Sequence, residues 1–224
     1  MTREQEDQKD FGGEYGRFSS VGHVMGGRKG GRLKDLVSVL AAAAVVMVAR
    51  ASFADHYKVP SGSMEPTVEV GDQICVNKAA YGVRLPASET YVVQGTAPAR
   101  GDVVVLASPA DGDVLLKRVV AVPGDLVEVH DGRVTLDGVE APVRETEGAT
   151  VEVLGGRTHA LGTGYGGGPD FGPTRVPAGS FLVLGDNRGN SRDGRSFGWV
   201  ARGAILGRAV AVCLHDGAPA WRPL

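Results

Sequence analysis

Aromatic residues are scarce in this chain: six Phe, five Tyr and two Trp among 224 residues. Neither charge dominates, with 24 Lys plus Arg against 26 Asp plus Glu. A nucleic-acid binder needs a basic stripe interleaved with stacking side chains, and neither component is present, so no nucleic-acid partner is implied. The few histidines and cysteines do not cluster at ligand spacing, and no Gly-rich phosphate loop is found. Neither a metal nor a nucleotide cofactor is therefore implied. The two cysteines, Cys75 and Cys213, lie in the apolar runs "DQICVNK" and "AVAVCLH". They read as buried thiols, or as one bridge if the domain folds in an oxidising compartment; spacing alone does not place them within bridging reach. No internal repeat is visible.

The length suits one medium domain with an appendage. Residues 1–35 are charged and Gly-rich, with too little apolar surface to bury, and are expected to form a disordered tail. Residues 36–54 follow as the most apolar run, "LVSVLAAAAVVMVARASFA", interrupted only by Arg50. Three readings compete. A bilayer core takes about 20 apolar residues, and an arginine near one end can reach the headgroups. A cleaved signal peptide is suggested by the small residues Ser52 and Ala54 before Asp55. A buried core helix is the third. Arg28, Lys29, Arg32 and Lys34 crowd the upstream flank, and the residues just downstream are acidic. The positive-inside rule then favours a transmembrane helix with the N-terminus in the cytoplasm and residues 55–224 outside.

Beyond Tyr57 the pattern is mainly β. Short, Val-rich runs separated by glycines predict strands at "VEVGDQICVNK", "RGDVVVLAS", "GDVLLKRVVAV", "SFLVLG" and "AILGRAVAVCL". "LVEVHDGRVTLDG" predicts a hairpin turning at Asp131-Gly132. Residues 140–178, including the Gly-rich stretch 160–172, read as a Gly/Pro-rich insertion or long loop outside the core.

Chemistry concentrates in three stretches. In "VPSGSMEPT" the serines Ser61 and Ser63 stand two apart. On an extended chain they project to one side, with Pro60 favouring extension and Gly62 permitting close backbone approach. One hydroxyl can attack while the other donates to the resulting oxyanion; a simple Ser-Gly-Ser turn is the alternative. A serine nucleophile needs a base, and none of His23, His56, His130, His159 or His215 lies in a prepared setting. Lys117 does. In "DVLLKRVVAV" the cations Lys117 and Arg118 occupy opposite faces of an apolar strand. A desolvated lysine loses charge rather than stay buried as an ammonium. Arginine cannot. An ordinary ion-paired lysine is the alternative. The third stretch, "LGDNRGNSRDGRSFGWV", follows a strand with many hydrogen-bonding groups. There Ser191 can orient the lysine amine, and Asp193 can pair with Arg195 or Arg188.

Together "PSGSMEPT", "RGDVVVL", "KRVVAVPGD" and "GDNRGNSRDGRSFGWV" resemble, in order and spacing, the motifs of bacterial type I signal peptidases (leader peptidases), membrane-anchored Ser-Lys serine proteases. The resemblance runs from about Leu36 to Val212. It implies a β-rich catalytic domain behind a membrane anchor. It implies Ser63 as nucleophile, Lys117 as general base, the Ser61 hydroxyl and Ser63 N–H as oxyanion donors, and Ser191, Asp193 and Arg195 as orienting or bracing residues. Met64, Tyr57, Val59 and Leu115 would contact substrate. The implied partners are exported preproteins with small residues at −1 and −3, together with membrane lipid. Two positions depart from the family pattern: Gly189, where Asp is usual, and Gly194, where Ser is usual. The rivals are a self-cleaving Ser-Lys repressor, for which residues 1–35 supply no DNA-binding domain, and an inactive tethered β-rich binding module.

Overall fold

The computed structural model describes residues 34–42, 54–84, 91–146 and 148–224. The chain divides into two compact units, Met1–Ala42 and Ala43–Leu224. In the first, residues 34–42 form a helix, α1, on which Leu36, Val37, Val39 and Leu40 are each more than half exposed. Among the described residues no helix is long and apolar enough to cross a membrane. The expected span 36–54 runs through 43–53, which lie outside the described residues, as does residues 1–33 of the expected tail.

The second unit is built of strands. In chain order they are β1 (Ala54–Lys58), β2 (Gln73–Asn77), β3 (Gly82–Arg84), β4 (Tyr91–Gln94), β5 (Val103–Ala107), β6 (Val114–Ala121), β7 (Leu126–His130) and β8 (Arg133–Leu136). There follow β9 (Val139–Glu140), β10 (Val143–Thr146), β11 (Ala149–Leu154), β12 (Arg157–Leu161), β13 (Phe171–Arg175), β14 (Ser180–Leu184), β15 (Val200–Ala201), β16 (Ile205–His215) and β17 (Ala218–Pro223). One sheet runs β1-β2-β16-β5-β6-β14-β15, with β17 also on β16. Smaller sheets run β13-β7-β8-β9, β10-β11-β12 and β3-β4. Every strand pair is antiparallel.

The apolar runs explain this layering. On β5, Val103 and Val105 enter one core with Met64, Ile74 and Val212, while Val104 and Leu106 enter another with Phe181, Val183 and Ile205. On β14, Phe181 and Val183 share that second core, while Leu182 and Leu184 enter a third with Val127, Val129 and Val134. Strands covered on both faces have no solvent side, so they read as unbroken apolar runs. β7 is covered on one face only and alternates, with Val127 and Val129 inside. Its hairpin turns at Asp131-Gly132 as expected, both at positive φ (44° and 73°). That is the backbone a two-residue primed turn requires.

One expectation needs correction, and one open question is decided. Residues 140–178 are not an insertion outside the core. They form β10 to β13 and bury Leu154, Leu161 and Val176. The glycines that suggested a loop serve the turns instead: Gly155 and Gly156, at φ 57° and 78°, connect β11 to β12. Secondly, the choice left open for Cys75 and Cys213 is decided for the bridge: they form a disulfide joining β2 to β16, with Cα atoms 5.8 Å apart. These strands are neighbours in the sheet, so pairing brings together residues 138 apart in sequence.

Breaking the bridge with Cys75→Ser plus Cys213→Ser is expected to lower stability by about 2–4 kcal/mol, since it restores the unfolded chain's freedom to open a long loop. Urea midpoints with and without reductant measure this. A wild-type midpoint indifferent to reductant would refute it.

Candidate active site

The serine pair sits just beyond β1, and the local backbone departs from a uniformly extended ledge. Ser61 is extended, with φ −138° and ψ 152°. Gly62–Met64 then make a 3-10 turn, closed by the Glu65 N–H donating to the Gly62 carbonyl at 3.1 Å. The turn buries Ser63 and Met64 and leaves Ser61 exposed. Met64 anchors it in the core shared with β2 and β5. The two serines nevertheless line one cavity.

Lys117 reaches that cavity from β6, whose register puts it opposite Val104 of β5. Its Nζ lies 2.6 Å from Ser63 Oγ and 3.0 Å from the Leu116 carbonyl oxygen. Only 3% of the residue is exposed. Burial pulls its pKa down to about 8, against the opposing attraction of Asp193 and Asp186. About a tenth of an amine at that pKa is uncharged at pH 7, far more than of an ordinary lysine, and a neutral amine beside a hydroxyl can take its proton.

The cavity holds about 170 Å³ and is lined by Tyr57, Val59, Ser61, Ser63, Met64, Leu115 and Lys117 among others. Two sheet edges flank it. β1 ends the large sheet, and β14 pairs with β6 only along Arg118–Ala121. Val114–Lys117 therefore has β5 on one side and no strand partner on the other among the described residues. Such edges can accept an extended peptide.

Behind the lysine runs the loop after β14. Asp193 caps the short helix α2 (Gly194–Phe197), and its carboxylate accepts from Arg195 Nε and Nη2, both at 2.8 Å, with neither side chain exposed. It also accepts from the Gly185 N–H at 3.0 Å. Arg195 in turn donates to the Gly167 and Arg188 carbonyl oxygens at 2.5 and 2.6 Å. Of the two partners open to Asp193, Arg195 is the one used. Ser191 is placed differently from the expectation. Its hydroxyl is buried without a hydrogen-bond partner among the described residues. It packs against Gly185, where a Cβ would collide with both Ser191 Oγ and the Ser63 carbonyl oxygen.

The signal peptidase family model, peptidase S26, matches residues 32–214. A signal peptidase I of Pseudomonas fluorescens is 38% identical over 193 residues, which span 75% of this chain and 67% of the relative. A signal peptidase I of Pseudomonas aeruginosa matches at 38% over 192 residues, with the same coverage. The chain belongs to the signal peptidase family, peptidase S26. A solved signal peptidase I from Enterococcus faecalis V583 is 28% identical, with a TM-score of 0.35, over 50% of this chain and 97% of that one. The family assignment rests on the sequence matches.

Within this peptidase S26 domain the structure adds residues that the motifs did not reveal. Arg118, the neighbour of Lys117, is buried and grips Asp186 through Nε (2.8 Å) and Nη2 (2.7 Å). Thr67 donates to the same carboxylate at 2.5 Å. Burial pushes Asp186 up, but Arg118, His159 and the Thr67 hydrogen bond together hold the carboxyl below its ordinary pKa. Arg188 pairs with Glu152 of β11 at 2.5 Å, both fully buried. His159, expected in a loop, lies inside β12 with Nε2 3.2 Å from Glu152 Oε2. A signal for this pair existed: in "ATVEVL" Glu152 shares the inward face with Thr150 and Leu154. A carboxylate on a buried face requires a partner. Among the described residues no group of three His, Cys, Asp or Glu is placed to hold a metal ion.

Truncating Glu152 to Ala leaves the Arg188 guanidinium buried without its carboxylate. The expected loss is about 3–5 kcal/mol of folding stability, far above a surface substitution. Chemical denaturation of the variant checks this; a loss under about 1 kcal/mol would mean the pair is not buried as described.

Proposed function

We propose that this chain is a membrane-anchored serine endopeptidase that removes N-terminal signal peptides from exported preproteins, with Ser63 as nucleophile and Lys117 as general base. The observation that carries this reading is the buried 2.6 Å contact between Lys117 Nζ and Ser63 Oγ in a chain of the signal peptidase family. The neutral amine takes the Ser63 proton as Oγ attacks the scissile carbonyl. The tetrahedral oxyanion is received by the Ser61 hydroxyl and the Ser63 backbone N–H, each donor contributing roughly 3–4 kcal/mol. The lysine then passes the proton to the leaving amine. A water deprotonated by the same amine hydrolyses the acyl-enzyme and restores Ser63.

Substrate lies as an added strand between the edges of β1 and the Val114–Lys117 stretch of β6. Tyr57, Val59, Met64 and Leu115 limit the space beside the nucleophile, and about 170 Å³ suits small side chains at −1 and −3 better than large ones. The Asp193–Arg195 pair braces the loop behind the lysine, and Ser191 packs against Gly185 within that loop.

The organisation we propose is a cytoplasmic tail at 1–35, a single transmembrane helix at 36–54 in contact with lipid, and an extracytoplasmic catalytic domain at 55–224. The exposed apolar side chains of α1, the basic flank before them and a disulfide in the catalytic domain support it. Disulfides persist in oxidising compartments.

Cleavage of a preprotein by the full chain in detergent with lipid tests the reading. Ser63→Ala and Lys117→Arg are expected to lose activity by several orders of magnitude, because guanidinium cannot deprotonate. Since only the uncharged amine works, the rate should climb about tenfold per pH unit below the lysine pKa, bend near pH 8 and level off above it. Equal cleavage by all three proteins overturns the reading; no cleavage by wild type favours the tethered binding module.

A further inference from the structure

One residue of the loop after β14 touches the nucleophile segment twice. Asn187 is 3% exposed. Its backbone N–H donates to the Ser63 carbonyl oxygen at 3.1 Å, and its Nδ2 donates to the Gly62 carbonyl oxygen, also at 3.1 Å. Two consecutive carbonyls of the Ser-Gly-Ser-Met turn thus accept from this one residue, and the Gly62 carbonyl is shared between the Asn187 amide and the Glu65 N–H, which closes the turn at 3.1 Å. Asn187 is itself fixed on both sides. The Gly162 N–H donates to the Asp186 carbonyl oxygen at 2.9 Å, and the Arg188 N–H to the Gly162 carbonyl oxygen at 3.2 Å. The Asp186 side chain is clamped by Arg118. A Cβ at Gly162 would lie 2.9 Å from the Glu65 carbonyl oxygen and 3.1 Å from both Cα and Cγ of Asn187, so a side chain there would push the two segments apart.

The Gly62 carbonyl and the Ser63 N–H belong to one planar peptide unit. Among the described residues the cis bonds lie elsewhere, at Glu65-Pro66 and Gly172-Pro173, so this unit is trans and its carbonyl and N–H point in opposite directions. Whatever holds the carbonyl aims the N–H. A donor on the carbonyl also polarises the unit and strengthens its N–H as a donor. We infer that Asn187 is a positioning residue for the oxyanion hole: as the side-chain donor that holds the Gly62 carbonyl beside the Glu65 N–H of the turn, it helps to aim the Ser63 N–H at the developing oxyanion. The inference rests on the Ser63 mechanism proposed above and adds a role that neither serine nor lysine fills.

The test uses the full chain in detergent with lipid. Asn187→Ala removes the Nδ2 donor and keeps the backbone one; Asn187→Asp keeps the shape and removes the donor. Both should lower kcat about 10- to 100-fold, less than deleting an oxyanion donor outright, with KM nearly unchanged. The pH at which the Asn187→Ala rate bends should stay where it is, because the lysine is not touched. A substrate-like peptide ending in an aldehyde forms a hemiacetal with Ser63: the Oγ–C bond forms and the hydroxyl proton ends on the former carbonyl oxygen. Its inhibition constant should rise by the same factor as kcat/KM falls. Binding of an intact peptide to Ser63→Ala should not change when Asn187→Ala is added. Loosening of the fold would weaken both ligands alike, so equal weakening, or an unchanged aldehyde constant, overturns the inference. If Ser63→Ala cleaves like wild type, the mechanism itself falls and this role with it. If Ser63→Ala is inactive while both Asn187 variants keep wild-type kcat, only this role falls.

Discussion

An amine kept out of water is the constraint from which the site follows. Burial disfavours the charged form of Lys117, while Asp193 and Asp186 pull the other way. Two unit charges at close range interact with about 4 kcal/mol even at an effective dielectric constant of 20. An unattached carboxylate nearby would therefore rival the desolvation and recharge the lysine. The fold answers by giving each carboxylate an arginine of its own: Arg195 for Asp193 and Arg118 for Asp186. Arginine suits that task because it stays protonated and matches a carboxylate in a fork. The two pairs spend the anionic charge, and desolvation is left to decide the state of the lysine.

This arrangement depends on the sheet being covered on both faces. β5 and β6 carry apolar residues to either side, so a cation placed on β6 has no solvent face to turn toward. Adjacent residues of one strand then take opposite roles: Lys117 faces the cavity, and Arg118 faces the carboxylate behind it. The smaller sheets complete the burial. Residues 140–178, far from the nucleophile in sequence, supply Glu152 to Arg188 and the Gly167 carbonyl to Arg195. The loop after β14 thus hangs between the large sheet on one side and the β10–β12 sheet on the other.

The strands and the principal site residues were legible because local pattern and burial agree there. The apolar runs at β5, β6, β14 and β16 leave little room for another reading, and a lysine inside one of them is conspicuous. The Asp131-Gly132 turn was legible from its dipeptide. Residues 140–178 misled because composition was weighed above alternation. Their glycines signalled flexibility, whereas they sit at tight hairpin turns and at points of close backbone contact. The disulfide was undetermined because it depends on which strands become neighbours, a long-range fact that spacing does not encode. The roles of Glu152, Asp186 and Asn187 were hidden for the same reason: their partners come from distant segments.

The glycine at 189 has a consequence for how this chain can vary. A Cβ there would strike the Tyr165 carbonyl oxygen and come within 2.6 Å of that of Gly166, so the backbone of the Gly-rich stretch occupies the room a side chain would need. Any side chain at 189 would force the two segments apart, so the Gly-rich stretch and the loop after β14 constrain each other although more than twenty residues separate them.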